Sequence, residues 1–409
     1  MKVLITIGCV LFCIGFSKAQ IHLSDTAKIP VLAWGGVPPD EASVARYEEM
    51  KAAGLTISLT RSTSIDTMKM MLDKAQRAGV KLIVRCPELE TGTENTVRYF
   101  MHHPATAGYY LKDEPPASEF EHLAAWASRI RTVDSLHFCY LNLLPNYATP
   151  AQLGAPSYQE YVREFLSSVP VPFVSFDHYP VIESKGKRSL RKEWFENLEI
   201  IAEESRKANK PFWAFALSVA HAFYPIPTLP ELRLQVYSNL AYGAQGIQYF
   251  TYWTPKNKSQ YVYHSGPIDD SKQKTAVYDM LKELNAEIQN LSGVFLSSKV
   301  ISVEHIGKEI PVGTHRMSKL PEGIKKIKIR GEGAIVSVLE KGNSRFIIVV
   351  NKDFVNPMKL NIKGSSSSLE KVLKNGNIVR SKSTSSVQID PGDVAIYRQN
   401  NIIKSLRMQ

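Results

Sequence analysis

From residue 29 onward, short apolar runs alternate with longer stretches whose apolar positions recur every three to four residues. Strands are expected over residues 29–34, 55–60, 80–85, 108–112, 137–142, 173–177, 211–217 and 246–251. Helices are expected over 40–53, 65–78, 96–102, 119–133, 158–167, 192–208, 231–242 and 278–290. Asp40 and Asp66 mark two helix starts, and Gly54 and Gly79 two stops. Eight strands, each followed by a helix, over about 260 residues have the rhythm and size of a TIM (β/α)8 barrel. An open doubly wound sheet alternates in the same way. It would want a glycine-rich phosphate turn after its first strand, and Gly35-Gly36-Val37-Pro38-Pro39 is not one, because its prolines lack amide donors.

After about Val300 the helical periods stop. Short alternating runs take over, such as residues 334–339 and 345–350, separated by turn signals at Lys341-Gly342-Asn343, Asn375-Gly376-Asn377 and Asp390-Pro391-Gly392-Asp393. This predicts a small antiparallel β-sandwich. The expected organisation is a signal peptide at 1–19, a barrel domain at 20–298, a sandwich at 299–400 and a tail at 401–409. The serine run 365–368 is expected to be a loop.

The first residues read as a secretory leader. Lys2 gives the positive start, residues 3–16 the apolar stretch, and Ser17-Lys18-Ala19 the small residues a peptidase reads, with cleavage after Ala19. Thr6-Ile7-Gly8-Cys9 is a poor lipoprotein box because it comes too early. No later run is long enough to span a bilayer. A secreted or periplasmic protein is expected. Of four cysteines, Cys9 and Cys13 fall in the leader. Cys86 and Cys139 then lie on strands three and five with strand four between them, so free buried thiols are expected. The formal charge of +11 falls to about +9 without Lys2 and Lys18. No helix-turn-helix pattern, zinc spacing or aromatic RNA motif accompanies it, so nucleic acid is set aside as a partner, while an anionic polymer stays open. No cofactor motif is present. A metal site is disfavoured, because Asp177 and His178 are adjacent on a strand and face opposite sides.

Tyr109-Tyr110-Leu111-Lys112-Asp113-Glu114-Pro115-Pro116 reads as a strand that stops at two carboxylates and a proline pair. In a parallel barrel that end of a strand faces the active site. A carboxylic acid there is suited to protonating a leaving oxygen. A plainer reading makes the acids the N-terminal signal of a helix opening at Pro116-Ala117-Ser118-Glu119. Collecting the other strand ends gives Trp34, Arg61, Glu88, Asn142, Asp177, His178, Tyr179, Ser218, His221, Tyr252 and Trp253. Indoles that stack on a pyranose, together with carboxylates and amides for its hydroxyls, suit an oligo- or polysaccharide substrate.

Residues 103–115, with Asp113-Glu114-Pro115, look like the acid/base strand of clan A glycoside hydrolases. They are most similar to the family 42 β-galactosidase catalytic domain and to family 42-like exported proteins of polysaccharide-degrading bacteria. Residues 211–215 and 241–253 match the same group, and the resemblance covers roughly 29–295. It implies a TIM-barrel glycosidase with Glu114 as general acid/base. Clan A enzymes carry their nucleophilic glutamate at the end of strand seven, where this chain has Leu217-Ser218-Val219-Ala220-His221 and no acid before Glu231. Several readings follow. Asp177 activates water, with inversion across a gap of roughly 6.5–9.5 Å to Glu114. A substrate 2-acetamido group attacks, steered by Asp113. The nucleophile lies elsewhere, as at Glu88. Or the barrel binds glycan without cleaving it.

Overall fold

The structure is a computed structural model that describes residues 21–22, 28–256, 261–364, 369–380 and 386–400. The expected leader, the tail and the serine run lie outside the described residues. Parallel strands β1 (Val31–Trp34), β2 (Ile57–Leu59), β3 (Lys81–Val84), β4 (Thr106–Asp113), β5 (Phe138–Leu143), β6 (Val174–Phe176), β7 (Phe212–Leu217) and β8 (Gly246–Phe250) close into a barrel, with β8 paired to β1. Each strand fell where its apolar run predicted, within about two residues at each end. Gly108 permits a close approach in the wall: a Cβ there would lie 2.3 Å from the Phe138 carbonyl oxygen.

The helix at Ile65–Ala78 has the expected bounds and ends on Gly79 at φ +69°. Its cap is Ser64, whose side chain accepts from the Thr67 amide, while Asp66 sits in the first turn. The helix expected over 40–53 is divided. Pro39–Glu41 forms a 3-10 turn, and Val44–Ala52 is a helix capped by Ser43 rather than by Asp40. A hairpin, Val181–Ser184 with Lys187–Leu190, follows β6. Its turn residues Lys185 and Gly186 both have positive φ, as a two-residue hairpin turn requires.

Beyond the barrel lie β9 (Lys299–Gly307), β10 (Ile324–Arg330), β11 (Gly333–Lys341), β12 (Ser344–Asn351), β13 (Met358–Gly364), β14 (Leu369–Val372), β15 (Asn377–Arg380), β16 (Val387–Ile389) and β17 (Val394–Asn400). They form two antiparallel sheets, one ordered β15-β14-β17-β12-β11-β9 and the other β10-β13-β16. A two-residue strand, Ile21–His22, extends the larger sheet beside β15. That sheet is buried on both faces. Ala334, Val336, Ile347 and Val349 pack with Leu360 and Ile389 of the small sheet. Ile335, Leu339, Phe346 and Ile348 join the core of the barrel helices. The period-2 alternation that signals one half-buried sheet therefore conceals two apolar faces. Ser337 donates to the Ala241 carbonyl at 2.7 Å, and Lys374 pairs with Glu287 of the barrel at 3.2 Å, which anchors one unit on the other.

Candidate active site

Three acids stand at the mouth of the barrel, and the local backbone explains why. Strand β4 pairs with β5 through Tyr110↔Tyr140 and then Lys112↔Leu141, so Leu111 is an extra residue in a β-bulge. Without it, strict alternation would turn Asp113 away from the lumen. With it, Leu111 packs outward in the core while Asp113 comes into register with Asn142. Glu114 then takes φ +49°, a left-handed conformation uncommon for a residue with a side chain, and its amide donates to the Asn142 carbonyl at 2.8 Å. Bulge and left-handed turn together bring two consecutive acids to one cavity.

Asp177, just past β6, is the third acid. Asn142 donates one amide to both sides, to Asp177 at 2.7 Å and to Asp113 at 3.3 Å. A buried network below holds that amide in place. Ser175 donates to the Asn142 oxygen at 2.8 Å, the Gln248 amide donates to Ser175 at 2.9 Å, and Tyr140 donates to the Gln248 oxygen at 2.5 Å. Asp113 and Glu114 meet solvent through the mouth, but protein surrounds them on the other sides. Burial, then the neighbouring Asp113 charge, pushes the Glu114 carboxyl up to about 7. Burial, then Glu114 and Asp113, raises Asp177 well above the usual carboxylate range. The charges of Glu114 and Asp177 act on each other, so the two titrate as a pair.

The cavity holds about 480 Å³. Trp34 meets Tyr110, Tyr140 and Phe215 at ring separations of 6.2, 5.9 and 5.6 Å. Tyr179, Phe215, Tyr224 and Phe250 form the wall on the side of strands seven and eight. Where a clan A nucleophile would stand, the β7 residue facing the cavity is Phe215. Glu231 is no substitute. It is buried in the capping box of helix Leu229–Ala241, and both its oxygens accept from Arg188 at 2.9 Å.

A family model described as β-galactosidase, glycoside hydrolase family 42, matches residues 159–291. Three solved β-galactosidases superpose on almost the whole chain. The enzyme from Bacillus circulans sp. alkalophilus does so with TM-score 0.58 at 10% identity, covering 91% of this chain and 99% of its own. A catalytic mutant of a family 42 enzyme from G. stearothermophilus gives 0.59 at 7%, covering 93% and 99%. The enzyme from psychrophilic Marinomonas ef1 gives 0.54 at 10%, covering 91% and 100%. The domain is family 42-like. No curated protein matches the sequence.

In this family 42-like barrel, Trp34, Asn142, Tyr179 and His221 line the same cavity as Asp113, Glu114 and Asp177. Six other expected residues do not line it. His178 faces the helices, where Asn197 holds it at 3.3 Å and burial pushes its imidazole down to about 3. Ser218 donates to the Thr251 carbonyl, and Tyr252 is packed in the outer core. Trp253 lies under the Arg46 guanidinium at 5.2 Å. Arg61 is exposed outside the cavity, and Glu88 is tied to Cys86 and the Ile65 backbone at the start of a short helix. For His178 and Ser218 the reason is phase: a strand end offers alternate residues inward and outward, and these two are out of step with Ser175 and Phe215. The cavity also includes Tyr147, Arg191, Phe215, Phe223, Tyr224, Phe250, Tyr261 and Tyr263, which sequence reasoning missed. Tyr261 and Tyr263, two apart in the loop after β8, were a readable signal. Arg191 was not, since its place depends on the hairpin.

Proposed function

We propose that this protein is a glycoside hydrolase in which Glu114 protonates the glycosidic oxygen and Asp177 is the second acid. The observation that carries this is that Glu114 and Asp177 line one aromatic-walled cavity at the mouth of a family 42-like barrel, each perturbed by the other. Glu114, raised to about 7, keeps its proton near neutral pH, as a general acid must. An entering glycosidic oxygen becomes the acceptor of that proton. The proton held by the pair leaves through Glu114 to that oxygen, and only then is Asp177 ionised and able to act as the base that activates water on the other face of the sugar. Asn142 and Asp113 orient it, and Trp34 and Tyr179 supply rings for stacking.

The consecutive Asp113 and Glu114 at one cavity favour a second reading. An acetamido group on the substrate would bring its own nucleophile, with Asp113 to steer it and Glu114 as acid. Product NMR decides between them. Inversion, with Asp177→Asn inactive, supports the first reading. Retention, confined to 2-acetamido sugars and lost in Asp113→Asn, supports the second. Sugar binding without turnover of any glycoside would overturn both and leave a glycan-binding protein. We further propose export, on the leader-like residues 2–19.

A further inference from the structure

Arg191 follows the hairpin directly and lines the cavity with the three acids. Its guanidinium lies 4.5 Å from the Tyr147 ring centroid, 5.2 Å from Phe223 and 5.8 Å from Tyr224, and donates to the Tyr224 hydroxyl at 3.3 Å. Its Nε is buried with no acceptor. Among the described residues it has no carboxylate partner. Its hairpin neighbour Arg188 shows the usual alternative, paired with Glu183 at 3.1 Å and Glu231 at 2.9 Å. A half-buried cation has given up hydration, and an acid normally compensates for that. Here only ring faces and a phenol do so. A planar guanidinium held by stacked rings presents a preformed fork to a planar or tetrahedral oxyanion. The whole chain carries a net charge of +11, which draws polyanions toward it.

We propose that Arg191 recognises an anionic substituent, a carboxylate or a sulfate ester, on the sugar held in this cavity. The proposal rests on the glycosidase reading for the sugar itself, but its test needs no turnover. The probes are methyl β-galactoside, methyl β-galacturonide and methyl β-galactoside 6-sulfate, with the corresponding gluco series. Within a series the members differ only at C6. Binding is measured by calorimetry on the Glu114→Gln protein at fixed ionic strength. In at least one series, an anionic member should bind about tenfold tighter than its neutral counterpart, as expected for a charge-assisted pair. Which member does so separates uronate from sulfate. Arg191→Gln should abolish the preference. Arg191→Lys, which keeps the charge but not the planar stack, should retain part of it. No preference in either series, no binding at the highest soluble concentration, or a preference that survives Arg191→Gln would overturn the proposal. Anion preference with no turnover of any glycoside would leave it standing and end the hydrolase reading. Turnover of neutral glycosides without anion preference would do the reverse.

Discussion

Glu114 is held by three constraints at once: a left-handed backbone, a hydrogen bond from its amide to the Asn142 carbonyl, and electrostatic coupling to Asp113 and Asp177. The hydrogen bond offsets the cost of the left-handed backbone, while burial and the Asp113 charge favour the protonated acid. Activity should therefore fall as pH rises through about 7, the value to which burial and Asp113 push this group. A pH–rate profile checks this. Glu114→Gln should lower kcat on an unactivated glycoside by about 10²–10⁴. The same change should stabilise the fold at alkaline pH. A carboxyl raised above its unfolded value of 4.5 contributes stability that is complete below that value and lost as pH rises through about 7. At pH 8 the wild type carries that loss and the glutamine variant does not. Because the group is open to solvent, the gain is discounted to about 1 kcal/mol, or about 1–2 °C in Tm, and it should vanish near pH 4. Melting curves at the two pH values test the sign.

The elements act through the faces they turn inward. Strands β5, β6 and β8 each contribute one polar residue to the layer under the acids: Tyr140, Ser175 and Gln248. Fully satisfied, such a buried layer is rigid; with one member removed, it strands its partners. Ser175→Ala leaves the Asn142 oxygen without its donor and takes the acceptor from Gln248. It should cost about 1–3 kcal/mol in urea unfolding. It should also lower kcat more than it raises KM, because Asn142 no longer fixes Asp177. An unchanged kcat would show that the layer supports the fold alone.

Across the whole molecule, the large C-terminal sheet is joined to the barrel by apolar packing and by a buried histidine. His305 lies 2.8 Å from the Tyr242 hydroxyl, and burial pushes its imidazole down to about 3. His178 is held down to about 3 in the same way on the helix side of the barrel. A depressed histidine contributes stability that is present above its unfolded value of 6.5 and lost as pH falls toward the folded value. Tm should therefore drop by about 2–4 °C per pH unit between pH 6 and 5. His305→Gln should flatten that slope without moving the pH–rate profile. This acid-side loss runs opposite to the loss at Glu114 between 4.5 and about 7, so the two partly offset each other where their ranges overlap.

The sequence by itself determined the order and kind of the elements. The 3.6 and 2.0 periods are local, and Gly79 or Pro115-Pro116 ends an element wherever it falls. It also determined that Asp113, Glu114 and Asp177 sit at strand ends, since apolar runs stop there. Tertiary structure decided which strand-end side chains share a cavity. The Leu111 bulge is visible only when β4 is laid against β5, and it reverses the facing of everything after it. Ser218 and His178 were one residue out of phase for the same reason: inward or outward is set by the neighbouring strand, not by the run itself. Arg191 reached the cavity through a hairpin whose fold depends on two positive φ angles, and the Phe215 wall on strand seven was set by barrel closure. Glu114 and Asp177 line one cavity from strands two apart, and no local pattern encodes that meeting.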